Sequence, residues 1–164
     1  MLQLTQKEQQ LLQDQKSHEE VCIGKYQSNA QQASDPQLKQ LFQSYAQQEQ
    51  QHLNTINSII SGQVPSMTQG QQNQQQSQQI QSNMQNISQT QSTTASPAAS
   101  QTDAMLCNDM LMTEKYVSSA YNTAIFEFTD SNVRQALNHI QKEEQQHGEG
   151  IFNYMNSQGM YNVK

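Results

Sequence analysis

Between Leu53 and Thr102 the chain has no Asp, Glu, Lys or Arg, and all 22 charged residues of its 164 lie outside that window. The segment 63–101 consists mainly of Gln, Ser, Asn and Thr, broken by Pro65 and Pro97. Its apolar residues Ile80, Met84 and Ile87 are too sparse to bury a helix face. It reads as a low-complexity Gln/Ser-rich linker, with a short helix over 78–88 as the alternative. Other absences narrow the field. No stretch approaches the roughly 18 apolar residues of a membrane span. The opening Met1-Leu2-Gln3-Leu4-Thr5-Gln6-Lys7-Glu8 has no basic segment leading into an apolar run, so no signal peptide is expected. The two cysteines, Cys22 and Cys107, form no C-x-x-C and imply no disulfide framework; they read as buried reduced thiols. Basic residues are few, and with a net charge of −6 nothing suggests a nucleic-acid footprint.

Only 33% of the chain is hydrophobic and 13% charged. Glutamine fills the difference with 35 residues, giving a surface that is polar without being charged. The length suits a single domain with a sizeable core.

Four helical patterns flank the linker. In the first, over about 5–33, Leu12, Glu19, Tyr26 and Ala33 recur at seven. It must end at Ser34-Asp35-Pro36, because the residue before proline disfavours helix. Asp35 suits the N-cap and Pro36 the first position of the second helix, over about 36–61. Its stripe is Leu38, Leu41, Phe42, Tyr45, Glu49, His52, Leu53, Ile56 and Ile60, with Gly62 as the stop. A third helix over about 103–128 carries Leu106, Met110, Leu111, Glu114, Val117, Tyr121, Ile125 and Phe128. Thr129-Asp130-Ser131-Asn132 supplies capping chemistry for a fourth, over about 131–157. Each short join makes an antiparallel hairpin. The expectation is an all-α antiparallel four-helix bundle of two hairpins joined by a long Gln-rich crossover.

The hairpins repeat. Glu49-Gln50-Gln51-His52 recurs 95 residues later as Glu144-Gln145-Gln146-His147. At the same offset Leu11 meets Leu106, Asp14 meets Asp109, Glu19 meets Glu114, Tyr26 meets Tyr121, Asp35 meets Asp130 and Ile56 meets Ile151. Glu-x-x-His places a carboxylate and an imidazole on one helix face. Glu19 lies 16 residues before the turn at Asp35 and Glu49 lies 14 after it. At about 1.5 Å per residue the two stand at nearly one height, and the second hairpin repeats the counts. Four carboxylates and two imidazoles can therefore converge in mid-bundle. One Glu from each of two helices and a Glu-x-x-His from each of the other two is the ligand arrangement of di-iron and di-manganese bundles. Four buried carboxylates need compensation, which two divalent cations supply; oxygen donors with imidazole suit iron or manganese. The expected metal ligands are Glu19, Glu49, His52, Glu114, Glu144 and His147. The rival reading is an eroded site, its residues hydrogen-bonded or solvated in a looser bundle.

Neighbouring residues read as less informative. Glu20 and Glu143 sit about 100° round the helix from ligand positions and read as surface charges. His18, His139 and Lys115 also read as surface residues, and Tyr26, Tyr45 and Tyr121 as core residues with a hydroxyl partner.

The hairpin running from Tyr26-Gln-Ser-Asn-Ala to Ser34-Asp35-Pro36-Gln37-Leu38-Lys39-Gln40-Leu41-Phe42 resembles the Coat F family of bacterial spore coat proteins. So does the closing segment Ile151-Phe-Asn-Tyr154-Met-Asn-Ser-Gln158-Gly159-Met160-Tyr161. The resemblance implies a ferritin-like bundle, assembly into the endospore coat from the mother-cell cytoplasm, and other coat proteins or further copies of the chain as partners. More distantly, the ligand pattern is similar to rubrerythrin-like di-iron proteins, although no C-x-x-C pair is present for a rubredoxin-type centre. That likeness implies an alternative function, a di-iron or di-manganese oxidoreductase that removes peroxide or oxygen.

Overall fold

The computed structural model describes residues 2–64 and 97–161. Both linker readings, and the chain's last three residues, fall wholly or largely outside them. The described residues form four helices: α1 (Gln6–Gln32), α2 (Pro36–Ile60), α3 (Pro97–Ile125) and α4 (Ser131–Ser157).

Local chemistry sets the helix ends. Thr5 and Glu8 form a reciprocal capping box at the start of α1. Asp35 accepts from the Gln37 N–H and is followed by Pro36 in the first turn. Asp130 accepts from Asn132 and Val133 with nearly the same backbone angles, ψ 125° against 123° at Asp35. The repeat is thus kept in the caps as well as in the stripes. Gly62 (φ 85°) and Gly159 (φ 66°) follow α2 and α4 in the left-handed conformation that stops a helix. The third helix departs from its expected bounds. It starts at Pro97 rather than 103, because proline's fixed φ is preorganised for a first turn and Ala98 and Ala99 propagate it. It closes at Ile125, where Glu127 and Phe128 make tightened i→i+3 bonds to Ala124 and Ile125.

Cross-bundle contacts give the topology. Lys7 meets Glu127 at 2.5 Å, Tyr121 meets Glu19, Lys25 meets Asp109 at 2.8 Å, and Ser34 meets Asp103 at 2.8 Å. Numbers rise along α1 as they fall along α3, so these helices are antiparallel. Ile60 and Pro97 therefore stand at opposite ends of the bundle, the placement a crossover requires. This is an all-α bundle of two antiparallel hairpins.

Two apolar clusters fill the interior. One gathers Tyr26, Leu38, Phe42, Met110, Ile151 and Met155. The other gathers Leu12, Ile56, Ile59, Val133, Leu137 and Ile140. The buried polar layer lies between them. Cys22 and Cys107 are buried free thiols, as expected. Among the described residues no helix is long and apolar enough to cross a membrane.

Candidate metal centre

The equal heights reckoned along the helices place all six expected ligands in one layer. Glu19, Glu49 and Glu144 are fully buried, and Glu114, His52 and His147 are at most 2% exposed. They form two overlapping groups, Glu19–Glu49–His52–Glu144 and Glu49–Glu114–Glu144–His147. In each group one donor atom from every residue lies within 4.8 Å of the others. Glu49 and Glu144, the carboxylates of the repeated phrase, belong to both groups; Glu19 and Glu114 stand at the two ends.

The imidazoles are oriented by what lies behind them. His52 turns Nδ1 towards Glu144 (3.0 Å), Glu49 (3.3 Å) and Glu19 (3.6 Å). His147 turns Nδ1 towards Glu49 (3.1 Å), Glu114 (3.5 Å) and Glu144 (3.6 Å). The outer nitrogens are held by other residues: His52 Nε2 donates to Glu143 at 2.8 Å and His147 Nε2 to Gln48 at 2.5 Å. A proton on Nε2 leaves Nδ1 as the donor atom facing the carboxylates, the orientation in which an outer hydrogen bond holds a metal-ligating histidine. The two rings lie 5.8 Å apart between centroids, inclined by 22°. Tyrosines close the ends: Tyr26 donates its hydroxyl to Glu114 and Tyr121 donates to Glu19. These two bonds are related by the repeat.

Several buried oxygens nevertheless find no hydrogen-bond partner among the described residues: Glu19 Oε2, Glu114 Oε2 and both oxygens of Glu144. Buried carboxylate oxygens without a hydrogen bond are costly; those of Glu144 and Glu19 Oε2 have the imidazole contacts at 3.0–3.6 Å alone. The donor set also fits divalent ions by charge, four carboxylates against two cations, and by type, oxygen with imidazole.

Protons can partly substitute for such ions. Burial pushes the Glu19 carboxyl up; a bond from His52 opposes this and the charge of Glu144 adds to it, leaving it well above the ordinary range. Burial and Glu144 likewise raise Glu114 against the pull of His147. Burial also works against ionised Glu49, but bonds from His147 and His52 overcome it and hold that carboxyl low. Glu144 is lowered because the two histidines outweigh burial and Glu49. Burial would keep His52 neutral, yet the charge of Glu144 and the contacts of Glu143, Glu144 and Glu19 drive it up. His147 is raised in the same way by Glu114, Glu144 and Glu49. Burial and the facing charges thus push the end carboxyls and both imidazoles up and hold the two shared carboxyls down.

Comparison with known proteins bears on the same hairpins. Residues 102–164 match the Coat F domain. The match covers α4 and most of α3, and so contains Glu114, Glu144 and His147. An uncharacterized protein of Bacillus subtilis (strain 168), YusN, is 33% identical over 72 residues, which is 43% of this chain and 66% of that protein. The chain thus spans a little under two thirds of that relative's length. No solved structure matches. The Coat F resemblance read from the sequence is borne out over the second hairpin.

Within the Coat F hairpin one expectation fails. Glu143 is not a surface charge: it is 15% exposed, bonded to His52 and 3.4 Å from His139. Its 100° displacement from Glu144 carries it to the flank of α4, which packs towards α2. His139 is accordingly a half-buried partner of Glu143, and His18 is half-buried against Tyr116, with ring centroids 5.4 Å apart. Glu20 and Lys115 are exposed, as expected. Tyr26, Tyr45 and Tyr121 are buried; Tyr45 stacks on His147 with 4.3 Å between centroids. The sequence reading also passed over Gln48. The signal was present: Gln48 and Glu143 are separated by the same 95 residues as the histidines they hold.

Proposed function

We propose that the chain is a structural component of the bacterial endospore coat whose ferritin-like bundle holds two iron or manganese ions. The Coat F match supports the coat assignment. The metal reading rests on one observation: two four-residue ligand groups, each with its donor atoms within 4.8 Å of one another, share Glu49 and Glu144 in a buried layer. In this reading Glu19 and His52 would hold one ion and Glu114 and His147 the other, with Glu49 and Glu144 available to both. The Coat F relationship favours other coat proteins as partners and the coat as the location. A fluorescent fusion made during sporulation should ring the developing spore; a fusion that stays diffuse in the mother cell would remove the coat assignment.

A second reading, an oxidoreductase acting on peroxide or oxygen, uses the same ligands. It is favoured by the Tyr26 and Tyr121 hydroxyls, which set an oxidisable phenol against Glu114 and Glu19. Metal content does not separate the two. Turnover does: metal-loaded protein that consumes hydrogen peroxide no faster than the Glu144→Ala variant is not such an enzyme.

A further inference from the structure

We infer that the two ion positions are inequivalent and fill in order, the one at His52 before the one at His147, because a carboxylate backs His52 where an amide backs His147. The inference rests on the two-ion reading above and adds to it a residue that sets affinity, Glu143.

The repeat makes the comparison internal to one molecule. Around each position the inner residues are the same: an end Glu (Glu19 or Glu114), the shared Glu49 and Glu144, a histidine, and a tyrosine on the end carboxylate. The outer residue differs. His52 Nε2 donates to Glu143 Oε2 at 2.8 Å, and His147 Nε2 donates to Gln48 Oε1 at 2.5 Å. A carboxylate acceptor makes a charge-assisted bond that draws the Nε2 proton away and enriches electron density at Nδ1; an amide oxygen does so less. Glu143 also brings a negative charge close to one position only, in an interior where screening is weak. Its place is secured from outside by His139, one helical turn back, at 3.4 Å. Glu143 acts through His52 and touches no ion, so it is a positioning residue. Loss of such a partner typically costs about 10–100-fold in metal affinity.

A further difference accompanies this one. Tyr45 stacks on His147, and its hydroxyl occupies the space that a side chain at Gly150 would fill. At the repeat-related positions the chain has Ile140 and Thr55. This contact is uncharged, and exchanging residues 48 and 143 leaves it in place.

The test is a titration of the full chain with cobalt(II), followed by calorimetry and by visible absorption of the bound ion. Wild-type protein should take up two ions in separate steps, with His52→Ala removing the tighter step and His147→Ala the weaker. Glu143→Gln keeps an acceptor for Nε2 but removes the charge. It should weaken the tight step by about 10-fold or more and draw the two together. Gln48→Glu should strengthen the weak step, and the double exchange should reverse the order, so that His52→Ala then removes the weaker step. Reversal is a result that a merely structural role for Glu143 would not give. If Glu143→Gln fails to fold, Gln48→Glu alone decides. Two equal steps in wild-type protein, or unequal steps unmoved by these exchanges, would overturn the inference and leave the two-ion reading standing. No uptake at all would overturn both.

Discussion

Glu8, at the start of α1, accepts the backbone N–H of Thr129 at 2.8 Å, in the turn that joins the other two helices. Its repeat partner Asp103 does the same at the opposite end, accepting from Ser34 and Asp35 at 2.8 and 3.0 Å. Each hairpin thus lends a buried acid to the other's turn.

Removing either clasp leaves turn N–H groups unsatisfied. Glu8→Ala and Asp103→Ala should each lower unfolding stability by about 1–3 kcal/mol. The sites lie at opposite ends of the bundle, so the double variant should show the sum to within about 0.5 kcal/mol. Bonds from Thr129 and Thr5 outweigh burial and hold Glu8 below its ordinary 4.5. Its contribution is therefore present above pH 4.5 and fades as pH falls through the lower folded value. Urea unfolding should show the gap between wild type and Glu8→Ala narrowing in acid.

Glu19 and Glu114 should respond in opposite ways with and without metal. Burial favours their protonated forms, for which an amide is a close isostere. In chelator-treated protein Glu19→Gln and Glu114→Gln should change stability by less than about 1 kcal/mol. The same variants should lose most of the rise in Tm that iron or manganese gives the wild type, measured by thermal unfolding in paired samples.

The pH dependence of the metal-free bundle follows from raised values. His52 and His147 lie above 6.5 in the folded protein, so their contribution is complete below pH 6.5 and lost as pH rises through the folded values. Glu19 and Glu114, raised above 4.5, have the same sign. Metal-free protein should therefore weaken from neutral to alkaline pH. Metal must displace these protons, so affinity should climb over the same range, with proton release visible as a dependence of calorimetric heat on the buffer.

At Gly150 an added Cβ would collide with the Tyr45 hydroxyl. Gly150→Ala should push the ring off His147, offsetting the gain of up to about 1 kcal/mol that alanine brings to a helix interior. Combining it with Tyr45→Phe removes the clash with the hydroxyl and leaves a tight contact of 3.1 Å to the ring carbon Cζ. The double variant should be more stable than Gly150→Ala by chemical denaturation, with a clear coupling energy between the two sites.

Much of this architecture was legible in the sequence, because the repeat states each feature twice. Asp35 and Asp130 marked the turns, and the spacing of Glu19 and Glu49 from the first turn set the layer's height. Glu143 was missed because helix geometry gives the angle of a side chain but not how far the neighbouring helix reaches round. Only the packing of α2 turned that flank inward. Glu8 and Asp103 were missed because each continues the buried face with an acid, one turn beyond the apolar positions Leu12 and Cys107. Their matched acidity at the 95-residue offset was the available clue. The early start of α3 was hidden by the low-complexity character that Pro97, Ala98 and Ala99 share with the linker before them.

The central claim is that six side chains in one buried layer hold two ions. Elemental analysis of wild-type protein, loaded with iron(II) or manganese(II) and then desalted, tests it most directly. The account predicts close to two ions per chain, falling to one or none in Glu49→Ala and Glu144→Ala. Wild-type protein that retains no metal, or retains it equally in those two variants, would contradict it.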